Sequence, residues 1–113
     1  MKQAKKADKK EMTVIKGGKQ IPFKTHPTDE KFNTGKLIQI ILDYRPMDDP
    51  SFYVTTSQMR ERFAILDAVE ALHKDSTVLT LTESQCKILA DLSPKIQWKL
   101  VDRFILDFED SLK

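Results

Sequence analysis

The sequence predicts a mainly α fold, four helices in one small domain behind a lysine-rich tail, and three observations lead there. Apolar residues recur at helical spacing in four separate stretches, helix-start signals stand before each stretch, and the first eleven residues hold almost nothing able to anchor a core. A chain of 113 residues, 40% apolar and 32% charged, is ordinary for one globular domain. Residues 1–11 are therefore expected as a disordered basic tail and residues 12–113 as the folded domain.

Thr13-Val14-Ile15 and Ile21-Pro22-Phe23 are short β-prone runs flanking Gly17-Gly18, which suits a hairpin over 12–24 because glycine supplies the positive φ of a tight turn. A plain hinge at Gly-Gly is the alternative, and Pro22, lacking an N–H, fits only an outward edge position. Lys24 to Lys31 reads as loop. The first helix, about 34–44, starts at a cap on Asn33 or Thr34, carries Leu37, Ile40, Ile41 and Tyr44 inward, and ends before Pro46. The second, about 56–74, presents Met59, Phe63, Leu66 and Val69 as its buried stripe, widened by Ile65, Ala68 and Leu72. Arg60, Glu61, Arg62, Asp67, Glu70 and Lys74 are left outside, with Glu70 four residues before Lys74 as a helical pair. Val78 to Leu81 is extended, either pairing with the hairpin or only leading into the next helix. Thr82-Glu83-Ser84-Gln85 is a capping box opening a helix over 83–92. Ser93-Pro94, a cap followed by proline, announces a final helix over 94–111 with Ile96, Leu100, Val101, Phe104, Ile105, Phe108 and Leu112 inward.

Composition excludes several classes of function. One cysteine, Cys86, cannot form an intrachain disulfide, which points to the cytoplasm, or to a virion for a phage-encoded chain. The apolar clusters are too short to span a bilayer, so no membrane partner is expected. His26, His73 and Cys86 stand far apart in sequence, so no metal site is expected, and Cys86 lies in mid-helix with no histidine base beside it. Three glycines make no phosphate loop, and the carboxylates Asp48 and Asp49 sit in a polar loop rather than in the apolar pocket that general acid catalysis needs. Hence no enzyme activity, cofactor or small-molecule substrate is expected.

Charge is unevenly distributed. Residues 1–20 hold seven lysines against Asp8 and Glu11, a net +5, so with the whole chain at +2 the rest carries −3. The chemistry that remains is recognition of macromolecules. Trp98 lies at the border of its helix face and reads first as a core residue; the alternative is that with Phe52 and Tyr53 in the proline-bounded loop beside Met47 it makes a contact patch for a partner. Asp107, Glu109 and Asp110 fall in the last turns of a helix, where the macrodipole disfavours negative charge. Lys113 or the basic tail can compensate them internally, whereas a basic partner surface would give Asp107 and Asp110 a binding role. The expected function is thus an interaction, adaptor or assembly protein that docks on a protein partner or on copies of itself, of the kind phage and mobile elements use as accessory or virion components. The alternative is a nucleic-acid-binding regulator. Its tail lysines Lys5, Lys6, Lys9 and Lys10 would neutralise phosphates, and a helix-turn-helix-like pair would place Lys95, Lys99 and Arg103, at spacing four, on one reading face.

Overall fold

The computed structural model describes residues 18–113; the tail, the first arm of the expected hairpin and Gly17 lie outside the described residues. The second arm is a strand, β1 (Lys19–Pro22), and its described partner is distant in sequence. It runs antiparallel to Val78–Leu81, with Ile21 opposite Leu79 and Lys19 opposite Leu81. Ile21, Leu79 and Leu81 are buried. Pro22 closes this two-stranded ribbon at its end, and the Phe23 N–H donates to the Thr77 carbonyl just beyond it at 2.8 Å.

Residues 24–31, expected as loop, form a hairpin instead: β2 (Thr25–His26) and β3 (Asp29–Asn33) pair antiparallel around Pro27-Thr28. Proline presets the φ that the first central turn position requires. The strands are too short and too polar to show the alternation that announces a hairpin. Their anchor is Thr34, whose buried hydroxyl accepts from the Lys24 N–H at 2.9 Å while its own N–H donates to the Lys24 carbonyl.

Helix α1 (Thr34–Asp43) begins as expected on Asn33, whose side chain accepts the Lys36 N–H at 2.9 Å, and buries Leu37, Ile38, Ile41 and Leu42. A loop with one 3-10 turn, Pro50–Phe52, leads to α2 (Thr56–Glu70), which opens on a reciprocal capping box between Thr55 and Gln58. It stops at Glu70, a turn short of the expected end, so Glu70 and Lys74 do not share a helix. The extended stretch Val78–Leu81 is β4, followed by α3 (Glu83–Leu92) with the expected box between Thr82 and Gln85. Helix α1 packs on α2 and α3, and one cluster of buried side chains runs from β1 through α1, Ile65, β4 and α3 to Phe108 and Leu112.

Gly35 sits where α1 meets α2. A methyl group added there would stand 2.8 Å from Val69 Cγ1, and Val69, β-branched in a helix, has little rotameric room to retreat. We expect Gly35→Ala to lower stability by about 1–2 kcal/mol despite alanine's better helix propensity, and Val69→Ala in the same chain to recover most of that loss in urea denaturation.

The last expected helix is the main correction. Only Ser93–Lys95 continue helically, as a 3-10 turn; the chain then extends at Ile96, and α4 covers Arg103–Ser111 alone, capped by Asp102. Lys95-Ile96-Gln97-Trp98-Lys99 alternates polar and apolar residues, the period of extended chain, and burial alternates with it: Ile96 is buried and Trp98 half-buried between exposed neighbours. A helix over this segment would scatter those two side chains to different faces. Leu100 and Val101, expected inside, are consequently exposed.

Candidate protein-docking site

Helix α2 forms one wall of an apolar groove. Its sequence carries two overlapping stripes one residue apart, Met59-Phe63-Leu66 and Arg62-Ile65-Leu66-Val69, and the structure seats the second on the core. Ile65 is fully buried, whereas Met59 is 45% and Phe63 62% exposed, which corrects the expected stripe. Ile65 belongs to the hydrophobic cluster and Val69 packs against it, while the first two turns of α2 lie beside the end of α1 and Val54. The result is a groove of about 260 Å³ lined by Leu42, Val54, Met59, Phe63 and Leu66.

Two arginines border it. Arg45 donates Nη1 to the carbonyls of Leu42 and Tyr44 at 3.0 and 2.7 Å, which fastens it to the end of α1, where those carbonyls lack helical partners. Arg62, expected outside, is half-buried, and its Nη1 is covered from water with no hydrogen-bond partner among the described residues. Burial first, and the like charge of Arg45 second, push the Arg62 guanidinium below the ordinary arginine range. Asp43 also lines the groove, yet among the described residues no carboxylate stands within ion-pair distance of either arginine.

The residues singled out for partner binding are not brought together. Phe52 is buried, its ring 5.1 Å from Tyr44 in an edge-on contact, and so belongs to the packing. Trp98 packs against the core cluster, close to where the Gln97 N–H donates to the Tyr44 hydroxyl at 3.4 Å. Tyr53, next to groove residue Val54, remains exposed, as does Met47 in the same loop. On α4 the acidic cluster divides: Glu109 accepts from the Ser93 hydroxyl at 2.8 Å and Asp110 pairs with Lys113 at 3.5 Å, while Asp107 is exposed and in no such pair among the described residues.

Lys95, Lys99 and Arg103 are all exposed, but they lie in a 3-10 turn, an irregular stretch and the start of α4 respectively. The spacing of four therefore does not put them on one helix face, and the helix-turn-helix geometry is absent. Lys5, Lys6, Lys9 and Lys10 lie outside the described residues.

A second constellation was not legible in the sequence. His26 Nε2 and Asp102 Oδ2 are 2.7 Å apart, although 76 positions separate them, and the imidazole sits against Phe32 and Phe104 with centroids 5.7 and 5.4 Å away. Nδ1 accepts the Thr28 N–H at 3.1 Å, with the Thr28 hydroxyl at 3.2 Å. The series hydroxyl, imidazole and carboxylate resembles the parts of a nucleophile–base system, but the Nδ1 lone pair that would take the hydroxyl proton is already engaged by a backbone N–H. Asp102 in turn caps α4 by accepting the Phe104 N–H at 2.9 Å. That hydrogen bond chiefly, with help from His26, holds the Asp102 carboxyl below the usual aspartate range against the opposing effect of burial. The arrangement is a clamp joining the β2–β3 hairpin to α4.

Cys86 is buried, and burial pushes its thiol up, the opposite of what a nucleophile needs. Among the described residues no group of three or more metal-ligating side chains is assembled, and no helix is long and apolar enough to cross a membrane. Compared with known proteins, the chain matches no family model, no curated protein and no solved structure.

Proposed function

We propose that this is a non-catalytic protein-interaction or assembly protein whose docking surface is the groove between the end of α1 and the first turns of α2. The observation that carries this reading is the exposure of Met59 and Phe63 beside a concave apolar wall. Large apolar side chains gathered around a concavity, with charged groups at its rim, have the composition of an interface centre. The arginines add the residue type most enriched there. Nucleic-acid binding has less support, because its proposed reading face depended on a continuous final helix.

The test is site-specific crosslinking in the native cell, with a photoreactive phenylalanine analogue at Phe63 and, as control, at exposed Lys87 on α3. A discrete protein adduct formed from position 63, absent at 87 and lost with Met59→Ser, is the expected outcome. Equal adduct patterns at both positions, or none at 63, would refute the reading.

A further inference from the structure

We infer that the groove's occupant is a second copy of this chain, which inserts the outward face of α4, Leu106 first, with Asp107 and Asp110 meeting Arg45 and Arg62. The inference rests on the docking role proposed above and names its partner.

Both halves of the contact are present in one molecule. The receiving half is concave and mostly apolar, with two guanidinium groups at its rim; Asp43 also lines it and the charge of Glu61 acts on Arg62, but among the described residues no carboxylate stands within ion-pair distance of either arginine. The Arg62 Nη1, covered yet without a hydrogen bond, is a donor waiting for an acceptor, and a buried donor left so is costly. The entering half carries more acid than base: Asp107 and Asp110 share their face with Arg103, and Asp107 borders the concavity between α4 and the end of β1, whose lining also includes Lys24. On α4 the side chains of Arg103, Leu106, Asp107 and Asp110 follow helical spacing three, four and seven from the first, so they share one face, and Leu106 stands 56% exposed among the two carboxylates. Just before the helix, Val101 is fully exposed and Leu100 about half exposed.

Charge complementarity selects this occupant. Asp107 and Asp110 are three residues apart, so their side chains are neighbours on the helix surface and can reach two adjacent guanidinium groups together. Asp110 must give up its pair with Lys113, but both partners are 71% exposed, and exposed pairs of this kind are weak. Negative charge at the C-terminal end of α4 is unfavourable for the lone helix and is relieved by a cationic rim. Among the described residues α4 packs on β1 and none of its side chains lines the groove, so α4 does not fill it within one molecule. Copies can therefore exchange α4 faces reciprocally as a two-fold pair or continue head to tail.

The experiment is light scattering on the full chain from about 10 µM to 1 mM, a range that brackets weak interfaces, at low and at high salt. The mass should rise with concentration at low salt and fall back with added salt. Asp107→Arg alone and Arg62→Glu alone should each stay monomeric, while an equimolar mixture of the two should associate, because the mixture restores one intact groove facing one intact ridge. Since Arg62 is half-buried, the exposed Arg45→Glu serves as a parallel groove variant, with circular dichroism confirming the fold. A wild-type chain that is monomeric throughout, or association indifferent to Asp107→Arg and Arg45→Glu, overturns the self-docking inference. In that case a position-63 crosslink to a different protein would still uphold the docking role, so the two readings fail separately.

Discussion

Ile65→Ala is expected to lower the unfolding free energy by about 2–5 kcal/mol, whereas Phe63→Ala, two residues earlier on the same helix and removing a larger side chain, should cost less than about 1 kcal/mol. The contrast follows from burial alone, since Ile65 is fully enclosed and Phe63 is 62% exposed. Truncating Ile65 leaves a cavity among Leu37, Ile38 and their neighbours in the core cluster, while truncating Phe63 removes surface that water already reaches. Urea denaturation at constant slope reads both values. A loss of about 3–5 kcal/mol for Phe63→Ala would mean that α2 seats its other stripe on the core, and the groove would then not exist. If the expected order holds, Phe63 contributes little to the stability of the fold, as the docking role proposed for it requires.

The second large effect is at the clamp. His26→Ala should destabilise the fold by about 2 kcal/mol, combining a charge-assisted hydrogen bond with two aromatic contacts, and should accelerate hydrogen exchange at the hairpin and the start of α4. The clamp also sets a pH dependence. Because the native Asp102 carboxyl lies below its ordinary range, the unfolded chain takes up the proton first as pH falls. The contribution of Asp102 is fully present above the ordinary aspartate value and is lost as pH drops through the lowered native one. Asp102→Asn keeps a capping side chain and an acceptor for His26 but removes the titration, so the acid limb of its stability profile should be shallower than that of the wild type. An unchanged acid limb would show that other carboxylates set it.

How much of this was legible depended on how local the deciding interaction was. The starts of α1 and α3 were readable because Asn33 and the box Thr82-Gln85 satisfy backbone donors within their own first turn. The extended state of β4 was readable, and pairing with residues 12–24 was one of its two alternatives, but which of the two holds, across some sixty positions, only the structure decided. The end of the chain was misread because Ser93-Pro94 is a genuine helix-start signal that yields only one 3-10 turn. The competing period-two pattern of Ile96 and Trp98 prevailed because both side chains had core to reach. His26 and Asp102 offered no signal at all, since one histidine and one aspartate in distant segments become a pair only when the hairpin is laid against α4.

The candidate site shows the same division. By itself the sequence determined where the first three helices begin, that the chain carries a basic end and an acidic body, and that neither a metal cluster nor a nucleophile–base motif is written at recognisable spacing. It also supplied α2 with apolar residues on two adjacent stripes, more than one face can bury. Only the tertiary structure decided which stripe became core and which became surface. Helical periodicity fixes the angle between side chains but not the rotation of the helix about its axis; that rotation is set by the close approach of Gly35 to Val69 and by Ile65 entering the shared core. Once those contacts are made, Met59 and Phe63 turn outward and Arg62 turns in beside them.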